Sequence, residues 1–202
     1  MAIVAADEIK SFAKLTYEDL GYSSDSEFEA FLNDLVDHIS GVIENHCRVP
    51  AGFFEAGGLS FTDQLYDYRN PLDLRYKPVI SVSSVKVNKA GYGQAPDWQT
   101  LDSTDYIVDY EAGLIWFVAD YPAVQLQSVK VSYTAGYAET PQIVKFVALQ
   151  LASNILHIIL QRKISPVIRV DDWTVRMIIP EAFTAELQAM LDPYVRRVVS
   201  VG

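Results

Sequence analysis

The chain has 202 residues, half of them apolar and 12% aromatic, so it can bury a sizeable core and disorder is not the expectation. A net charge of −10 without any basic stripe argues against a sequence-independent grip on nucleic acid, which needs clustered Lys and Arg to displace counterions. The single cysteine, Cys47, excludes an internal disulfide framework and fits a reducing compartment, and Asp7 and Glu8 come too early for a secretory leader.

The charge is unevenly placed. Residues 1–47 hold ten acids against Lys10 and Lys14, a net of −8, while the other 155 residues hold sixteen acids and fourteen bases, a net of −2. Residues 5–15 predict a short helix with Ile9, Phe12, Ala13 and Leu15 as a modest apolar side. "GYSSDS" then breaks the chain, and Ser24 or Ser26 is placed to cap a helix over 26–47. There Phe28, Phe31, Leu32, Leu35, Val36, Ile39, Val42, Ile43 and Cys47 recur at three- and four-residue steps, one buried stripe with the acids between. Pro50 ends that element. Residues 51–77 read as a long connection, rich in Gly, Asp and Tyr and too aromatic for a plain linker.

A strand-rich block is predicted over 78–136. "PVISVSSVKV" alternates imperfectly and implies a bulge near Ser83–Ser84. "DYIVDY" and "LIWFV" flank "EAG", a hairpin turn in which Gly113 supplies positive φ. "QSVKVSY" puts Val129, Val131 and Tyr133 on one face and Lys130 and Ser132 on the other. Between the first two strands, residues 89–100 form a protruding loop with Tyr92 and Trp98 at its tips.

The join "TAGYAETP" leaves no spare residue between strand and helix. Thr140 and Pro141 open a helix over 140–162 as cap and first residue. Its polar residues past the first turn, Gln150, Asn154, His157 and Gln161, step by four, three and four, and nearly everything else is apolar. Lys145 and the continuous polar stripe favour a central helix packed on several sides over a membrane span. Residues 166–179 read as a second hairpin turning at Asp171–Asp172, and 180–202 as a last helix, kinked at Pro193, with a basic β-branched tail. The fold class is α+β: a helical bundle around a long central helix, with an inserted antiparallel β block and a second short hairpin, in a single domain of 1–202 whose N-terminal helices occupy 1–50.

Catalytic motifs are missing. Gly91 and Gly93 lack the third glycine and the helix of a phosphate loop, and there is no nucleophile elbow. His38 and His46 are eight residues apart, about 80° round a helix and roughly 12 Å along it, too far to share an ion. Cys47 falls on an apolar stripe, where a small buried hydrophobe is expected. Turn aspartates such as Asp105, Asp109 and Asp171–Asp172 ordinarily cap their own backbone. No cofactor or metal is called for, and no enzyme.

In order, "ISGVIENHCRVP", "RYKPVISVSSVKV", "LDSTDYIVDYEAGLIWF", "VSYTAGYAETPQIVKFVALQLA" and "LDPYVRR" resemble the head–tail connector (adaptor) proteins of long-tailed phages and prophages. The resemblance spans most of residues 5–198. It implies a homo-oligomeric ring, usually twelvefold, at the virion neck after assembly in the host cytoplasm. Such a ring docks beneath the portal, receives a tail or stopper protein, and lets DNA pass through without specific binding; no membrane is involved. In that setting Asp25, Glu27, Glu29, Asp34 and Asp37 are expected to border the lumen, where negative charge repels phosphates. Tyr194, Val195, Arg196, Arg197, Val198 and Val199 are the expected portal-docking segment. Gln150, Asn154, His157 and Gln161 are expected at subunit interfaces. The aromatics Phe53, Phe54, Tyr66, Tyr68, Tyr92 and Trp98 are expected in tail-side or subunit contacts. The alternatives are a tail-completion or stopper protein of the neck, and a monomeric ligand-binding or hydrolytic domain using Asp105, Asp109 and His157.

Overall fold

A computed structural model describes residues 2–90, 94–119, 126–164 and 182–196. The expected second hairpin at 166–179, Tyr92, and Arg197, Val198 and Val199 lie outside the described residues. The fold is α+β, and the chain divides into two compact units: Met1–Gly52 with Thr140–Gly202, which is helical, and Phe53–Glu139, which is built of strands.

In the helical unit, α1 (Ala6–Ala13), α2 (Tyr17–Leu20), α3 (Asp25–Cys47), α4 (Gln142–Ile164) and α5 (Ala185–Leu191) follow one another in chain order. Each start has a chemical cause. Thr16 and Asp19 form a reciprocal capping box for α2, and the Ser24 side chain accepts from the Glu27 N–H to open α3. Arg48, in the left-handed region, closes α3 two residues ahead of Pro50. The expected stripe is the buried one: Phe28, Leu32, Leu35, Val36, Ile39, Ile43 and Cys47 are buried, with Phe31 and Val42 half-buried at its margin.

The α4 helix starts later than expected, at Gln142, because the Pro141 carbonyl accepts the first intrahelical bond, from the Lys145 N–H. Over Gln142–Gln161 it is long and apolar enough to cross a membrane by length and composition. Here α1, α2, α3 and α5 pack against it, burying Val144, Val147, Ala148, Leu151, Ala152 and Leu156, while Ile143 and Phe146 stay exposed. An apolar helix with neighbours on several sides meets the same compositional test as a span.

The strand unit holds two antiparallel sheets. In the four-stranded sheet β1 (Leu59–Tyr66), β7 (Val129–Ala135), β3 (Val79–Asn88) and β4 (Trp98–Thr100) lie in that order; in the three-stranded sheet the order is β2 (Leu72–Asp73), β6 (Leu114–Phe117), β5 (Tyr106–Asp109). The expected bulge in β3 is present, with a register shift between Val82 and Ser84 against β7. Gly113, at φ +65°, makes the β5–β6 turn. Along β7 the burial alternates strictly, with Val129, Val131, Tyr133 and Ala135 inside.

The reading of 51–77 as a connection is corrected: it contributes β1 and β2. Alternation along β1 changes phase midway, since Leu59 and Phe61 point inward and, after a shift between Phe61 and Gln64, so do Gln64 and Tyr66. That bulge, with Asp63 at φ +47°, hides a period-two pattern from sequence inspection. Two glycines then let the backbone cross closely. A Cβ on Gly58 would lie 2.6 Å from the Ala135 carbonyl oxygen, and one on Gly136, at φ +123°, would lie 2.8 Å from the Phe53 carbonyl oxygen.

Candidate functional site

The five acids assigned to the lumen all lie on exposed positions of α3. Their chemistry differs. The Lys10 ammonium of α1 donates to Asp25 at 2.8 Å and to Glu29 at 3.0 Å, so these two carboxylates fasten α1 to α3. The same contacts, Asp25 foremost, raise the Lys10 pKa above its ordinary value. Glu27 accepts from the N–H and hydroxyl of Ser23, at 3.0 and 2.6 Å, and those bonds hold its carboxyl below the ordinary range. Asp34 and Asp37 point away from the buried stripe.

The C-terminal docking segment is described as far as Arg196. A 3-10 turn at Asp192–Tyr194 leads into it, and the Arg196 N–H donates to the Cys47 carbonyl at 2.9 Å. The tail therefore leaves from the C-terminal end of α3.

The polar stripe of α4 splits into two parts. Gln150 donates to the Asn154 side-chain oxygen at 3.0 Å, and Asn154 donates to the Ala182 carbonyl at 3.0 Å, tying α4 to the segment before α5. His157 is exposed and donates through Nδ1 to the Ser153 carbonyl at 2.7 Å; Gln161 is also exposed.

The aromatic set is corrected for Phe53 and Phe54, while Tyr66, Tyr68 and Trp98 are half-buried. Phe53 and Phe54 are buried, and Phe54 stacks on Tyr137 at 5.9 Å with Phe53 edge-on beside it. They are core of the strand unit, not contact tips, because the Gly58–Gly136 crossing draws this segment under the sheet. Tyr66 joins its hydroxyl to that of Tyr133 at 2.9 Å, and the two phenols accept from the N–H groups of Arg75 and Tyr76. Tyr68 packs its ring 5.1 Å from Phe117. Trp98 is not a loop tip but the first residue of β4, paired with Asn88; the buried Asn88 side chain accepts from Ala90 and Asp97 and shapes the hairpin.

Among the described residues no group of His, Cys, Asp and Glu could hold a metal ion. His38 is exposed, and His46 sits edge-on to Phe183 at 5.3 Å. Burial, with Glu44 adding to it, pushes the Cys47 thiol up to about 12, the opposite of an activated nucleophile. Asp105 accepts from the Asp102 N–H and Asp109 from the Ala112 N–H, so both cap their own turns.

Residue-by-residue reading missed two surfaces. On the three-stranded sheet, Ile107 stands opposite Trp116 on the outward face, and both are exposed, as is Val118 beside them. On the four-stranded sheet, Lys86 stands directly opposite Lys130. The clean alternation of β7 assigned Lys130 to the outward face, but its partner depends on pairing across some 44 residues of chain.

No family model matches the sequence, and no curated protein matches it. Solved structures do. A chain from the neck of an empty gene transfer agent (GTA) particle, computed with C6 symmetry, matches over 98% of this chain and 92% of its own, at 17% identity and a TM-score of 0.56. A chain from the virion of a native gene transfer agent particle matches over the same shares and at the same identity, with a TM-score of 0.51. At this identity what is shared is the fold: a helical unit carrying a strand unit between its third and fourth helices.

Proposed function

We propose that this protein is a structural component of the neck of a phage-like particle, assembled as a ring that joins the portal of the capsid to the tail and lets DNA pass. The observation that carries the reading is the likeness, over nearly the whole chain, to chains from gene transfer agent particles, one of them from a neck computed with C6 symmetry. A ring of six or twelve copies fits that symmetry. The predominance of apolar packing and internal capping at the polar positions described above also supports a structural role over a catalytic one.

Within the ring, the segment from Tyr194 onward is the portal-docking element. Its departure point is fastened to α3 through the Arg196–Cys47 bond, which gives a tail a firm root. His157 and Gln161, exposed on α4, are the members of the polar stripe available to a neighbour. Gln150 and Asn154 are already engaged within the unit.

The test is the mass of the purified protein, alone and after mixing with isolated portal rings. A large ring, or a stoichiometric portal complex, is expected, and deleting residues 194–202 should abolish portal binding while leaving the helical content intact. A protein that remains monomeric and ignores portal would overturn the reading in favour of a stopper or a ligand-binding domain.

A further inference from the structure

The outward face of the four-stranded sheet carries an electrostatic conflict. Lys86 of β3 and Lys130 of β7 are direct cross-strand partners, an arrangement in which like charges repel. Asp63 reaches Lys86 at 3.1 Å, and the Lys130 ammonium sits 4.3 Å over the Trp98 ring. Among the described residues Asp63 is the only carboxylate ion-paired with either lysine, so the pair keeps one positive charge in excess. Leu65 of β1 stands exposed on the other side of Lys130, and the rest of the surroundings are small and hydroxylated. Ser84 pairs with Ser132, Ser60 with Thr134, and Thr100 with Lys86, all on the lysine side of the sheet, while the opposite face is buried.

The helical unit presents the complementary surface. Along α3, Glu27, Ala30, Asp34, Asp37 and Gly41 step by three, four, three and four, which aligns them on the side away from the buried stripe. The acids there are exposed. Gly41 lies mid-helix, where glycine costs about 1 kcal/mol relative to alanine. A Cβ added to it would meet nothing within 4 Å, so no packing inside the chain requires the glycine.

We propose that the lysine-bearing face of the four-stranded sheet in one copy docks on the acidic face of α3 in the next copy. Two lysine faces would repel each other, so a sheet meets a helix and not another sheet; in a ring that contact is heterologous, each copy offering a basic sheet to one neighbour and an acidic helix to the other. Ala30 and Gly41 let the sheet come close to the helix backbone. The docked carboxylates supply the countercharge that Asp63 alone does not. This rests on the ring reading above and removes Glu27, Asp34 and Asp37 from the lumen.

Charge exchange tests it. K86E/K130E and D34K/D37K should each weaken self-association in low salt by about tenfold or more, since like charges then face each other. An equimolar mixture of the two variants should assemble again, because every sheet then meets a helix of opposite sign. In the unmodified protein, zero-length carbodiimide coupling of isotopically labelled with unlabelled copies should join Lys86 or Lys130 of one copy to Asp34 or Asp37 of another. This second measurement stands even if a variant folds poorly. Assembly of both variants like the unmodified protein, with no such cross-link, overturns the proposal and leaves the ring intact. Failure of the unmodified protein to assemble, alone or with portal rings, overturns both. Unchanged assembly with loss of short duplex DNA retention by K86E/K130E would assign the face to DNA and also overturn the proposal.

Discussion

Tyr133 shows how one side chain organises the strand unit. Its ring is buried against Phe61 at 5.3 Å, and its hydroxyl meets the Tyr66 hydroxyl and the Tyr76 N–H. Burial is the main force pushing its ionisation upward. Tyr133→Phe removes the shared acceptor and should lower stability by about 1–3 kcal/mol in urea unfolding. Cys47 should resist thiol reagents at pH 8 in the native protein and react at once in urea, since its thiol is buried and raised to about 12. Glu8 is a pH-linked residue: hydrogen bonding to Lys145 foremost holds its carboxyl below the ordinary 4.5. A depressed folded pKa means the stabilisation is present above the unfolded value and is lost as pH falls through the folded one. Glu8→Gln should therefore flatten the acid limb of the stability profile below about pH 4.5 and leave its slope near neutrality unchanged.

At the scale of the element, legibility followed periodicity. The α3 stripe was readable because nine apolar residues keep one helical phase, and Ser24 announces its start. The β7 strand was readable because its alternation is unbroken. The β1 strand was not, because a bulge at Thr62–Asp63 reverses the phase and polar residues occupy its exposed edge. The burial of Phe53 and Phe54 is hidden for a related reason: aromatics between Gly-rich, polar residues look exposed, and only the crossing at Gly58 and Gly136 puts them in the core. Gly136→Ala should destabilise the strand unit by several kcal/mol, on the order of 3, because it combines a positive φ with a backbone clash. Loss of sheet signal in circular dichroism, at a temperature where the helical signal persists, would register it. In the helical unit, Ile39→Ala removes a fully buried side chain and should cost about 2–5 kcal/mol by the same denaturant measurement.

At the scale of the whole molecule, the ring reading and the sheet-to-helix docking make a joint statement about salt. A neck ring held partly by Lys86 and Lys130 against α3 acids should loosen as salt rises, because exposed charges are screened beyond roughly 8 Å at physiological ionic strength. Mass measured in about 0.05 M and then about 0.5 M salt, between which the screening length falls from roughly 14 Å to roughly 4 Å, should show dissociation at the higher value. Apolar contacts through Ile107, Trp116 and Val118 would instead hold firm. The apolar trio is exposed and the two lysines are half-buried on the outward face of their sheet, and the salt series separates their contributions.

Composition and periodicity by themselves determined the α+β class, the acidic N-terminal face, the long apolar helix and the hairpin at Gly113, because each depends on residues within a few turns or one strand of each other. They also determined that Lys130 faces outward. Tertiary structure alone decided that Lys130 meets Lys86, that Lys10 takes up Asp25 and Glu29, and that the aromatics of 53–54 are core. Those outcomes depend on which distant segments pair and in what register, and a one-residue shift in register reverses every side chain it touches.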